Sequence, residues 1–327
     1  MSSSTKNFSS PLSFADALQS PCDHCKVSCC SYLPLHDMTI STLVELDYLL
    51  YISNFENMEL ALVQGTTWRI HYRARCTRLL ENNRCQLHGT DAKPRVCRAY
   101  NSYKCFYKPM FEQEESDQFL RFNRERLEAF ASMLQFDENR NIIAMPSMAE
   151  IRANLPPLVI HDSPIVPTVP NGNSTQSKTY KEFAKPCYNC PSWCCSVLSF
   201  PLQGIFTVAN LDYLWFCLGF PNVEIGIGAE GWSVNVRTFC RHFTKTDASP
   251  AGKCSIYGQS NRPIQCVQYD ELQCAYKGQY GSANGPTVVH IHQEDFSRLA
   301  EMYQFDHSGN VQYQPSVQDI YQHLRMG

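Results

Sequence analysis

The chain has no run of about 18 consecutive apolar residues, and its opening Met1-Ser2-Ser3-Ser4-Thr5-Lys6-Asn7-Phe8 has no unbroken apolar core of a secretory signal. These absences set the expectation of a cytoplasmic protein with no membrane partner. It also lacks an excess of either charge. A net charge of -3 leaves no basic surplus to neutralise phosphates, so no nucleic-acid partner is expected. There is no glycine-rich phosphate loop, no H-E-x-x-H, no G-x-S-x-G and no C-x3-C-x2-C; the nearest approach to the last, Cys25-x3-Cys29, runs directly into Cys30. Sequence signatures for nucleotide, metallopeptidase, serine-hydrolase and radical chemistry are therefore missing.

What the chain has in abundance is cysteine, 17 in 327 residues. In a reducing compartment so many thiols point to metal ligation or redox chemistry before structural disulfides, a disulfide-stabilised pair of domains being the lesser alternative. Pro21-Cys22-Asp23-His24-Cys25-Lys26-Val27-Ser28-Cys29-Cys30 returns as Pro186-Cys187-Tyr188-Asn189-Cys190-Pro191-Ser192-Trp193-Cys194-Cys195. The repeat extends well beyond this cluster. Leu46-Asp47-Tyr48-Leu49 is answered by Leu211-Asp212-Tyr213-Leu214, Trp68 and Cys76 by Trp232 and Cys240, and Cys85, Cys97 and Cys105 by Cys254, Cys266 and Cys274, with C-x11-C and C-x7-C spacing in both trios. Gln135-Phe136-Asp137 likewise returns as Gln304-Phe305-Asp306.

Length and repetition together divide the chain into a flexible leader over 1–20, a cysteine-cluster domain over 21–155, a Pro-rich linker over 156–185 and a second cysteine-cluster domain over 186–327. The expected fold class is α+β: two tandem copies of a small metal-knotted domain, each with a β-hairpin or small antiparallel sheet, helices and Cys-rich loops. Spacing predicts a helix from about Ser41 to Ser53, a hairpin of Met58–Val63 and Trp68–Cys76, a long helix from about Glu114 to Gln135 with Phe119, Phe122 and Phe130 on its buried stripe, and a short helix from Pro146-Ser147 to Leu155. Strict alternation in the second hairpin arm puts Trp68, Ile70, Tyr72, Ala74 and Cys76 on the inner face and Arg69, His71, Arg73 and Arg75 on the outer one. Gly226 and Gly228 sit in an alternating strand and suit flat packing. Cys217, the one unmatched cysteine, lies in the apolar Leu214-Trp215-Phe216-Cys217-Leu218 and is expected in the core.

Sixteen thiols, eight per copy, are candidate ligands: Cys22, Cys25, Cys29, Cys30, Cys76, Cys85, Cys97 and Cys105, then Cys187, Cys190, Cys194, Cys195, Cys240, Cys254, Cys266 and Cys274. Four thiolates complete a tetrahedral zinc site or hold an iron-sulfur cluster, so eight suffice for two sites per copy and more than one metal site per chain. Adjacent side chains diverge, so Cys29 and Cys30 are expected to serve two neighbouring sites, with Cys22 and Cys25 anchoring one of them. Zinc and iron remain equal alternatives on an all-thiolate set. Arg69, Arg73, Arg75, Arg78, Arg84, Lys93, Arg95 and Arg98 surround the ligands of the first copy, and Arg237, Arg241, Lys245, Lys253 and Arg262 those of the second; several of these are expected to stabilise thiolates, a solvated basic face being the alternative.

The duplicated cluster, with Cys254-Ser255-Ile256-Tyr257 and Arg262-Pro263-Ile264-Gln265-Cys266, resembles the YkgJ-like cysteine-cluster family, a zinc- or iron-chelating CxxCxxCC domain. The second copy matches the later segment well. The first departs from it, with Cys85-Gln86-Leu87-His88 and Lys93-Pro94-Arg95-Val96-Cys97, and both copies place three residues before the vicinal pair instead of two. The resemblance implies metal ions as ligands. Through a related branch similar to flagellin lysine N-methylases, it also implies the alternative of an iron-dependent enzyme acting on a protein or peptide partner.

Overall fold

The computed structural model describes residues 26, 28–100, 105–112, 114–159, 192–228, 231–246, 249–268 and 288–325. The leader, most of the linker, and Cys22, Cys25, Cys187, Cys190 and Cys274 lie outside these residues. The first vicinal pair ends a 3-10 turn, Ser28–Cys30, that runs into strand β1 (Tyr32–Met38). Helix α1 (Leu43–Ile52) starts where Thr42 accepts from the Glu45 amide while the Glu45 side chain reaches back to the Thr42 amide, a reciprocal cap. Its Leu46, Leu49 and Ile52 are buried. The expected hairpin follows as β2 (Met58–Val63) and β3 (Thr67–Arg73), with Gln64 and Gly65 both at positive φ, 52° and 73°, to turn the chain tightly.

A four-residue helix, α2 (Arg95–Arg98), carries Cys97, and a π-helical turn, Lys108–Glu112, leads to strand β4 (Phe119–Phe122). The single long helix expected from Glu114 to Gln135 is corrected here. Its first part is β4, hydrogen-bonded to β2 with Leu60 opposite Phe122, and only Arg124–Met133 is helical (α3). All four residues of Phe119–Phe122 are buried, as a strand covered on both faces requires, and Asn123 then caps α3 by accepting from the Arg126 amide at 3.0 Å. Phe119, Phe122 and Phe130 are all core, though on two elements; the Trp68 ring lies 4.8 Å from Phe122 and 5.3 Å from Phe130. A two-strand ribbon, β5 (Gln135–Phe136) and β6 (Ile142–Ala144), and helix α4 (Met148–Asn154), capped by Ser147, end this half.

The second half starts from a 3-10 turn at Trp193–Cys195 and runs β7 (Val197–Leu202), α5 (Val208–Cys217), β8 (Val223–Gly228) and β9 (Gly231–Arg237). It adds a ribbon absent before, β10 (Phe243–Thr246) with β11 (Ser249–Cys254), where the interval between the matched cysteines is longer. Helix α6 (Ile264–Val267) carries Cys266. Then come β12 (Val288–Ile291), α7 (Phe296–Glu301), β13 (Gln304–Phe305), β14 (Val311–Tyr313) and α8 (Val317–Arg325). Fold class is thus mixed α and β with small antiparallel sheets. The two four-stranded sheets have the orders β1-β3-β2-β4 and β7-β9-β8-β12, the same succession of strands in each half.

Both halves contribute to one apolar core: Leu49, Trp68, Phe122 and Phe130 belong to the same buried cluster as Leu214, Phe220, Val236 and Ile291. Cys217 is fully buried in it, as its apolar neighbours imply. A Cβ on Gly226 would lie 2.6 Å from Ser233 Oγ, so glycine there permits close strand packing. Among the described residues, no helix is long and apolar enough to cross a membrane.

Thr42 and Thr207 cap equivalent helices with the same geometry, Asn210 standing where the first half has Glu45. Replacing either with alanine is expected to lower stability by about 1 kcal/mol, read as a shift of the urea midpoint without a change in slope.

Candidate metal centre

Twelve cysteines fall within the described residues. Their placement begins with the backbone. The Cys76 amide donates to the Cys30 carbonyl at 2.8 Å, and the Cys240 amide to the Cys195 carbonyl at 2.9 Å. The end of the third strand of each half is thereby tied to the vicinal pair. Cys76 itself differs from expectation: β3 ends at Arg73, so Cys76 lies beyond the strand and is half-buried in a turn closed by the Leu79 amide on the Cys76 carbonyl at 3.0 Å. Cys85 is brought back beside that turn by an isolated bridge to Leu79, and Cys254 by its pairing with Phe243.

The thiols gathered in this way act on one another electrostatically. Burial pushes the Cys97 thiol up to about 12, and negative charge on Cys30, Cys76 and Cys85 pushes in the same direction. Burial also raises Cys76, with Cys30 and Cys85 adding to it. The hydrogen bond from Cys29 pulls Cys30 down to about 7 against burial, helped by the charges of Lys93 and Arg75. In the second half, burial pushes Cys266 up to about 12, Arg262 opposing and Cys240, Cys194 and Cys254 reinforcing. Cys195 is raised by its contact with Cys194 and then by burial. Sulfur atoms of each vicinal pair are 4.0 Å apart. Among the described residues, however, no three His, Cys, Asp or Glu side chains form a group that could hold a metal ion.

Cys29 and Cys30 face different neighbours. Cys30 acts on Cys76 and Cys97, whereas Cys29 acts on the half-buried Tyr100 and the buried Tyr107 together with Cys105. The Tyr100 hydroxyl donates to Cys105 Sγ at 3.0 Å. Glu112 ties the first turn to the π-helical turn after Cys105, accepting from the Lys26 amide at 3.1 Å and from the Ser28 hydroxyl.

The cations divide into two groups. Lys93 and Arg75 act on Cys30, Arg78 on Cys76, Arg241 on Cys240 and Arg262 on Cys266. Arg69, Arg73 and Arg237 are engaged on the outer sheet faces, with Asp37 at 3.2 Å, Glu59 at 3.4 Å and Glu224 at 2.8 Å. His71 corrects the alternation argument. It is 1% exposed, because the outer face of β3 is covered by the Tyr107 and Phe111 rings. His88 is exposed, beside Lys93 at 3.4 Å, and His242 is half-buried, beside Ser255 at 3.3 Å.

Two polar clusters were not anticipated from sequence. Glu59 meets Arg121 at 2.6 Å as well as Arg73, and at the equivalent place Glu224, 1% exposed, meets Arg237 and lies 3.0 Å from His290 Nδ1. The available signal was a charge recurring at matched strand positions, Glu59 with Glu224 and Arg73 with Arg237. No protein-family model matches the chain, and no curated protein or solved structure matches it either.

Proposed function

We propose that this is a metal-binding protein in which duplicated eight-cysteine sets over 21–155 and 186–327 chelate zinc or iron, the latter including iron-sulfur clusters. The observation that supports the proposal is that, in each half, half-buried thiols from separate segments lie within reach of one another's charge, although no three of them form a metal-holding group among the described residues: Cys30, Cys76, Cys85 and Cys97, and Cys194, Cys240, Cys254 and Cys266. Crowded thiols resist ionising one beside another, and a bound cation reverses that resistance by making each thiolate favourable. The donor chemistry fits a thiophilic ion: sulfur donors with Lys93, Arg75, Arg78 and Arg262 to offset their charge. Cys22, Cys25 and Cys105 would complete a second group with Cys29. A common strand order in the two sheets supports reading the repeat as a duplicated domain. Bound metal would supply cross-linking of loops and, if iron, an electron-accepting centre.

Anaerobic purification followed by metal analysis and a visible spectrum tests the proposal. More than one zinc or iron per chain is expected, with loss from one half only in Cys97→Ala or Cys266→Ala. A colourless zinc protein excludes the iron-sulfur form, and a brown protein that bleaches in air excludes zinc. A chain free of metal with no titratable thiols overturns the proposal in favour of disulfides.

A further inference from the structure

In the repeated Leu46-Asp47-Tyr48-Leu49 and Leu211-Asp212-Tyr213-Leu214, the leucines are buried in the core, and core packing explains them. It does not explain the aspartates. Each of the short helices that carry a thiol begins after a proline: α2 after Pro94 and α6 after Pro263. A proline at that position offers no side-chain acceptor, so the first amides of the helix need one from elsewhere. The acceptor comes from the other half of the chain. Asp212 Oδ2, on α5, accepts from the Val96 amide of α2 at 3.2 Å. Asp47 Oδ2, on α1, accepts from the Ile264 and Gln265 amides of α6 at 2.6 and 3.4 Å. α2 packs on α5 and α6 on α1 accordingly.

Other ties cross in the same sense around the same loops. The Thr77 amide, next to Cys76, donates to the Gly219 carbonyl at 2.8 Å, and the Arg241 amide, next to Cys240, donates to the Asn54 carbonyl at 2.8 Å. Arg78 lies 3.6 Å over the Trp215 ring and donates to the Trp215 carbonyl at 3.0 Å. Arg241 donates to the Ser53 carbonyl at 3.1 Å, and the Tyr51 hydroxyl to the Cys194 carbonyl at 3.1 Å.

We infer that Asp212 and Asp47 are crossed positioning residues: Asp212 sets the Cys97 thiol and Asp47 sets the Cys266 thiol, so each half's thiol group is completed by the helix of the other half. The consequence is coupling. An ion held by the first half stiffens α2 and, through Asp212, the helix whose own half holds the second group. The metal readout rests on the proposed function, whereas the thiol readout does not.

The test uses the full chain, reduced and metal-free, with alkylation by iodoacetamide followed at the Cys97 and Cys266 peptides by mass spectrometry. Asp212→Ala is expected to speed alkylation of Cys97 by about tenfold, the scale of one lost hydrogen bond to a charged group, while leaving Cys266 at the native rate. Asp47→Ala is expected to do the reverse. Asp212→Asn and Asp47→Asn keep an acceptor oxygen and are expected to restore near-native rates; the serine variants replace the alanine ones should those fail to fold. In the zinc-loaded chain, Asp212→Ala is expected to release ion to a chelator faster from the first half than from the second. Equal acceleration at both cysteines, or acceleration confined to the half that carries the substitution, overturns the inference. A crossed pattern in a chain that takes up neither zinc nor iron supports the positioning and overturns the metal function alone.

Discussion

If the chain holds the proposed zinc or iron, removing it with a strong chelator is expected to melt the thiol loops while leaving the sheets folded. Amide exchange over residues 76–99 should rise by several orders of magnitude, and exchange in β2 and β3 should stay close to native. The reason is the distribution of apolar burial. Between Cys76 and Ala99 the buried apolar side chains are Leu79, at 9% exposure, and Pro94, and most of the others are exposed. Such a segment cannot recover its conformational entropy from packing. β2 and β3 bury Leu60, Leu62, Trp68, Ile70 and Tyr72 to 1% exposure or less and are held by the shared apolar core. Structural zinc supplies on the order of 10–16 kcal/mol in zinc-finger peptides, more than enough to account for the order of the loop. Crossed ties at Asp212, Gly219 and Trp215 leave some residual protection after chelation. Cys76→Ala and Cys97→Ala should mimic the chelator in the first half. Unchanged loop exchange after complete removal of metal would show that the loops hold themselves and would sink the structural role of the ion.

The hairpin, the first helix and the duplicated thiol spacing were legible because each depends on local pattern: strict alternation at Trp68, Ile70 and Tyr72, and three-to-four spacing at Ile40, Leu43, Leu46 and Leu50, although the helix buries Leu46, Leu49 and Ile52. The strand at Phe119–Phe122 was not, since four successive buried residues carry no alternation and merge with the helical period of α3. His71 misled for a related reason. Alternation tells two faces apart but does not say that the second face is also covered, here by a segment some forty residues later in the chain. The thiol set was legible as a list and not as a partition. That Cys29 and Cys30 look to different neighbours followed from their adjacency, but which residues each one faces depends on the 3-10 turn before β1 and on distant segments, which no spacing rule reports. The crossed aspartates were visible as a repeated tetrapeptide, yet their role depends on which half supplies the acceptor, a tertiary fact.

His71 gives the second large effect, an acid-dependent loss of stability. Burial lowers its pKa from 6.5 to about 3, with the positive charges of Arg69 and Arg121 acting in the same direction and outweighing the opposing pull of the Arg69 backbone. Among the described residues neither ring nitrogen has a well-formed hydrogen bond that would reward protonation. The folded state therefore binds a proton at this site less readily than the unfolded chain, and stability rises with pH wherever the unfolded state holds more protons. The contribution is complete above pH 6.5 and is lost as the pH falls towards about 3. At about 1.4 kcal/mol for each pH unit between those two values, the loss across the window is on the order of 5 kcal/mol. Asparagine occupies the matched position of the second sheet as Asn235, fully buried, so His71→Asn places there a side chain that the fold already accommodates. Native protein and variant share every thiol, and the difference between their urea unfolding free energies at pH 7, 6, 5 and 4 isolates the histidine. The native chain is expected to lose about 1.4 kcal/mol per pH unit more than the variant below pH 6.5. Parallel curves would mean that His71 is protonated in the folded state with a partner of its own.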